Sequence, residues 1–336
     1  MKNFINYRAF SLACVALAVM SSCSSSDDTE EVIPINSSPY VTKVLDYSPA
    51  VGQFINMLPK YESGDTREKM IQKAQAAVSG AKGSGVSLGG FGGYIVMGFD
   101  HTIANVEGLR DFRVLGNAFW ASSNPNASAA ERGGSSEPGV IMVAYDRNKN
   151  GQPDADEWYE IAGSEHQNPK TIKNYEITYT KPDPNKAATS DPLATWATDI
   201  EYIYWSDNQG NSGYKTKNSF HTQSYYPEWN TADQISFKGT LLPNNAADES
   251  GNGNYWVQYS FAYGYADNVP NKDDESAIDI AWAVDQAGNR VNLPGVDFIK
   301  IYTGTNQESG AVGEISTEVF GIEDLHLLKQ SIPTRN

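Results

Sequence analysis

What most constrains this chain is a series of short apolar and aromatic runs of strand length, each bounded by Gly, Asn or Asp, that begins near residue 85. Residues 94–99, 111–115, 140–145, 158–161, 278–284 and 298–302 read as strands, and 140–145 as a buried one. Over 175–179 the aromatic and apolar side chains alternate with polar ones, which places them on opposite faces of a strand. The turn Gly89-Gly90-Phe91-Gly92-Gly93 is rich enough in glycine to suggest a phosphate loop. No Lys-Ser/Thr pair and no helix start follow it, so that reading is set aside. One helix precedes the strands. Asp65 is placed to cap it with Glu68 three residues on, Met70, Ile71, Ala74, Ala77 and Val78 share a face, and Gly80 and Gly83 end it.

The expected fold is therefore all-β with one short N-terminal helix: a β-sandwich body over 41–330. Residues 181–275 carry fewer continuous apolar runs and more Asn, Asp, Ser and aromatics, and are expected as a large loop-rich elaboration. Two sandwiches, over 41–180 and 181–330, are the alternative. A weak echo between 108–114 and 295–301 fits either a duplication or two matching strands of one sandwich.

The N-terminus directs the chain out of the cytoplasm. Lys2 and Arg8 precede an apolar run over 9–20 of signal-peptide length. Met20-Ser21-Ser22-Cys23 then resembles the bacterial lipobox, which implies a signal peptide over 1–22, lipidation of Cys23 and a polar tether over 23–40. The acidic run after Cys23 resembles the export signal that Bacteroidetes use to send lipoproteins to the outer face of the outer membrane. Cys14 leaves with the signal peptide, so Cys23 is the one cysteine retained; an internal disulfide and a thiol nucleophile are both excluded. The chain has 41 acidic and 25 basic side chains, a formal charge of −16. Such a balance disfavours nucleic acid and anionic lipid surfaces and suits cation binding. Membrane attachment is expected through the lipid alone.

The most specific local motif runs from Asp146 to Glu157. Oxygen-bearing side chains at Asp146, Asn148, Asn150, Asp154 and Glu157, the Gln152 carbonyl and a glycine at Gly151 follow calcium-loop spacing. A hard cation wants six to eight oxygens, and only a tightly coiled chain supplies them from so few residues. Pro153 and strand-like flanks depart from the helical EF-hand, so the motif is read as a structural Ca2+ loop between two strands. A metal-free hairpin loop, for which Asn-Gly is itself a signal, is the alternative.

The second constellation is aromatic. Trp205, Tyr214, Tyr225, Tyr226, Trp229 and Trp256, among Asp, Asn and Gln neighbours, are candidates for binding a sugar or a large planar ligand, or else for core packing. Catalysis has little support: the four histidines show no zinc spacing and no Gly-x-Ser-x-Gly elbow occurs, so the chain is expected not to be an enzyme.

Several longer phrases carry a resemblance: residues 93–101, 111–119, Glu137-Pro138-Gly139-Val140, 157–165, Gly264-Tyr265-Ala266-Asp267-Asn268 and 313–318. Together they resemble a family of Bacteroides cell-surface lipoproteins that accompany TonB-dependent outer-membrane transporters. The resemblance implies capture of a nutrient for such a transporter, with a corrinoid (cobalamin) as its expected ligand. A glycan-binding lipoprotein of a polysaccharide-uptake system is the rival reading, and a glycoside hydrolase a third. More distantly, the 111–145 region is similar to the jelly-roll of galactose-binding-like domains, which implies a jelly-roll-like sandwich.

Overall fold

The computed structural model describes residues 36–335; the expected signal peptide, the expected lipidation site Cys23 and the start of the expected tether lie outside them. The described chain is mostly β, with one α-helix and several sheets. No helix among the described residues is long and apolar enough to cross a membrane.

The largest sheet has six strands in the order Lys43–Ser48, Tyr94–Ala104, Gly295–Thr303, Gly139–Ala144, Trp158–Ile161 and Ala283–Val284, every neighbour antiparallel. Its central strands are apolar at successive positions because both faces are covered. Ile95, Met97, Phe99, Ile141, Val143, Ile299 and Ile301 enter one core, together with Met70, Ala74, Ala77 and Val78 of the helix and Phe112, Val114 and Ile322. Val140 and Tyr302, with Tyr94 and Met142 beside them, enter a second core shared with Tyr175, Ile177, Tyr179, Ile203 and Phe237. Each fully buried Val, Ile, Phe or Met side chain among them contributes about 1.5–3 kcal/mol.

The second core is closed by a four-stranded antiparallel sheet ordered Ser212–Asn218, Ala197–Asp207, Ile172–Thr180 and Gln234–Leu241. The expected loop-rich elaboration thus contains a regular sheet, and that sheet takes a central strand from before residue 181. The two sheets approach closely at Gly239, where an added Cβ would stand 2.7 Å from the Tyr302 ring. The Thr240 N–H donates to the Tyr302 hydroxyl at 2.8 Å.

Three sequence expectations are corrected. The helix Arg67–Val78 is capped by Thr66, whose side chain accepts the Lys69 N–H; Asp65 instead accepts the Glu62 N–H and pairs with Lys73 at 2.5 Å. Residues 278–284 are not one strand. The Asp279 carboxylate accepts the Ala281 N–H at 2.8 Å and turns Ile280–Trp282 into a 3₁₀ segment between two short strands. The echoing segments also separate: Gly295–Thr303 is central in the six-stranded sheet, whereas Phe112–Leu115 lies in a three-stranded sheet with Ala277–Ile278 and Gly321–Asp324.

Candidate ligand-binding site

Residues of the second sheet and of the segments flanking it line a cavity of about 770 Å³. One wall is the arm 181–188 that leaves the strand Ile172–Thr180, where Pro182 and Pro184 restrict the backbone. The arm is fastened by Asp199, whose Oδ1 accepts the N–H groups of Thr189 and Glu201 at 3.1 and 3.0 Å. The facing wall is the segment 222–228. Asn56 holds it from below: its amide donates to the Ser224 and Tyr226 carbonyls at 2.8 and 2.9 Å, and its Oδ1 accepts the Glu228 N–H. Tyr202 and Lys217 line the cavity from adjacent strands of the sheet.

Three lysines stand at this cavity, each over a tyrosine ring. Lys217 Nζ lies 4.6 Å from the Tyr202 centroid, Lys181 Nζ 5.7 Å from Tyr226 and Lys186 Nζ 5.3 Å from Tyr214. Lys186 also pairs with Glu201 at 3.4 Å. Lys181 donates to the Asn230 carbonyl at 3.4 Å. Beyond the rim, Tyr204 and Tyr214 sit directly opposite one another across the strand pair, rings 5.5 Å apart and each 41% exposed.

Of the six aromatic candidates, Tyr226 lines the cavity, though its ring is only 2% exposed, and Tyr214 lies beneath a lining lysine. The other four are placed elsewhere. Tyr225 is 2% exposed in the second core, where its hydroxyl donates to the His221 carbonyl. Trp205 packs on the same core beside Gly213. Trp229 stacks on Tyr47 and lies tilted against Tyr61 beside the first core, and Trp256 sits in a separate sheet with its indole N–H on the Gly253 carbonyl. Large rings release the most free energy when buried, so the packing claims most of them. Sequence reasoning missed Lys181, Lys186 and Lys217, which no spacing pattern links.

The calcium-type loop joins the strands Gly139–Ala144 and Trp158–Ile161, which pair antiparallel. Asp146 accepts the Asn150 and Gly151 N–H groups at 3.0 and 2.7 Å, and Glu157 accepts those of Arg147 and Asp154 at 2.9 and 3.0 Å. The Asn148 and Asn150 amides both meet Asp154 Oδ2, at 2.6 and 3.0 Å, and the Gln152 N–H donates to Asn150 Oδ1 at 2.7 Å. Gly151 takes a left-handed φ of +77° at the bend. The side chains named for the metal therefore converge within one loop.

A second acidic group was not foreseen. Glu137, Asp267 and Glu318 bring carboxylate oxygens within 4.8 Å of one another, with Asp267 and Glu318 buried and Glu137 partly exposed. Asp267 accepts N–H groups from Asn117, Ala118 and Glu318 at 2.8, 2.9 and 3.0 Å; Glu318 accepts the Ser316 hydroxyl at 2.8 Å. Burial, then the Glu318 charge, pushes the Asp267 carboxyl up to about 8 despite those three donors. The same two causes lift Glu137 well above the carboxylate range, and burial lifts Glu318. A group so placed shares protons or surrounds a cation. Its members come from three of the phrases quoted for the family resemblance, distant in sequence and adjacent in space. Comparison with protein families and with curated proteins finds no match to this chain.

Proposed function

We propose that this chain is a non-catalytic outer-membrane lipoprotein, anchored by lipid on Cys23 and facing outward, that captures a nutrient for a TonB-dependent transporter. Its ligand site is the cavity between Lys181, Tyr202, Lys217 and Tyr226, and its ligand is a corrinoid such as cobalamin. The observation that carries this reading is the cavity itself: a concave, tyrosine-walled and lysine-bearing site on an otherwise acidic protein. A corrinoid is large, flat and fringed with amides, which suits ring faces beside polar groups. Calorimetric titration with cyanocobalamin tests it. Binding at micromolar concentration that is lost in Tyr202→Ala supports the proposal, and absence of heat overturns the corrinoid assignment.

The exposed Tyr204–Tyr214 pair favours a second reading, a glycan-binding protein, because flat exposed rings also suit sugar faces. Retention on a polysaccharide affinity gel that Tyr204→Ala abolishes would select it over the first. The finer fold assignment belongs here too: we read the six-stranded sheet and the four-stranded sheet as the two halves of a jelly-roll-like sandwich, supported by their shared core. The loop from Asp146 to Glu157 is read as a structural calcium site. Membrane attachment is tested by fractionation, where Cys23→Ser moves the protein out of the membrane fraction.

A further inference from the structure

The charge on the cavity restricts its ligand further. We infer that it is an oxyanion-recognition site: the molecule it takes presents a phosphate or carboxylate group to the ammonium groups of Lys181, Lys186 and Lys217. This rests on the reading of the cavity as the ligand site, and it does not depend on the ligand being a corrinoid.

The argument begins from the charge balance. In a chain with 41 acidic and 25 basic side chains, a surface lysine has carboxylates in abundance. Yet among the described residues no carboxylate lies within ion-pair distance of Lys181 or Lys217. Each stands instead over a tyrosine face, at 5.7 and 4.6 Å from the centroid. A ring quadrupole orients an ammonium group without neutralising it. Asp183, Asp199 and Glu228 also line the cavity, but among the described residues none of the three forms an ion pair with Lys181, Lys186 or Lys217. Asp199 accepts two N–H groups, and Asp183 accepts the Asn185 N–H at 2.8 Å. Among the described residues Glu201 is the one acid paired with a cavity lysine, through Lys186.

Size and the surrounding field define the rest of the molecule. A cavity of about 770 Å³ far exceeds a free phosphate or carboxylate ion, so the anionic group is one part of a larger body. The exposed Tyr204 ring offers a face to that body, whereas Tyr202 and Tyr214 lie under Lys217 and Lys186. The net charge of −16 disfavours long polyanions such as nucleic acid and leaves molecules with a small anionic group.

The test is calorimetric titration of the full chain with inorganic pyrophosphate and, separately, with citrate, at low and high sodium chloride. We expect saturable binding of at least one probe, weakened by salt. Lys181→Gln/Lys217→Gln should weaken it by about tenfold or more, while Lys181→Arg/Lys217→Arg retains it. Pyrophosphate alone identifies a phosphate-bearing ligand, and citrate alone a carboxylate-bearing one. If neither probe binds, or both bind the glutamine variant as well as the parent, the inference falls. Cyanocobalamin separates this from the corrinoid reading. Its binding to the glutamine variant at parental strength discards the lysine site and leaves capture standing. Probe binding without cyanocobalamin binding does the reverse.

Discussion

Asp267 holds a left-handed backbone, φ +49°, at the point where three backbone N–H groups reach its carboxylate. That conformation is unfavourable for most residues other than Gly and is tolerated by Asp. It sets the Asp267 carboxylate beside Glu137 and Glu318. All three carboxyls stand above their ordinary values in the folded chain, for which burial is the leading cause. The folded state therefore holds more protons than the unfolded state between roughly pH 4 and the raised values, about 8 for Asp267. Stability should fall as pH rises through that window and recover as pH falls through it. Two histidines add with the same sign. Burial opposes charge on His101, but Asp324 and Asp100, each 2.8 Å from a ring nitrogen, hold its pKa up; Asp111 raises that of His326. Their contribution is complete below the unfolded histidine pKa and lost above the folded one. We expect a lower melting temperature at pH 8 than at pH 6 in chelator-treated buffer, with a smaller difference in Glu318→Gln, as read by thermal scanning. A slope unchanged in that variant would place the proton uptake elsewhere.

At the scale of elements, two short motifs decide local structure, and each invites a measurement. Thr66 caps the only α-helix among the described residues, so Thr66→Ala should lower stability by about 1 kcal/mol in urea denaturation. Asp65, which the capping-box pattern favoured, is occupied by Lys73 and the Glu62 N–H, so the capping role falls to its neighbour Thr66. The loop from Asp146 to Glu157 closes a hairpin between two strands of the largest sheet. With calcium in place its melting temperature should fall on addition of EDTA and recover with excess Ca2+, and Asp146→Ala should remove that response. A melting temperature indifferent to EDTA would make it a plain hairpin loop.

At the scale of the whole molecule, the six-stranded sheet serves two cores, one on each face. Loss of packing on one face loosens the support of the other, so the described body should unfold in one transition. Near- and far-ultraviolet circular dichroism should give coincident curves. Ile299 is fully buried in the middle of that sheet, so Ile299→Ala should cost about 2–5 kcal/mol by denaturant unfolding. If Ile299→Ala separated the two spectroscopic transitions, the cores would be independent units.

The amino-acid order alone determined the class of the fold and many of its strands. Periodicity is a property of the local chain, so 94–99, 140–145, 158–161, 175–179 and 298–302 were legible, as was the helix. It also determined the spacing of the 146–157 loop, since a cation loop is built from consecutive residues. It did not reveal that Val140 and Ile141 feed different cores, because a continuous apolar run looks alike whichever layers cover it. Only the tertiary structure could set Lys181 and Lys217 on one cavity, or Glu137, Asp267 and Glu318 in one cluster. Those groups meet through sheet pairing and long-range packing. Nothing in the spacing of the chain records which distant side chains will share a face, and burial sorted the aromatic candidates by a free energy that depends on their neighbours rather than on their order.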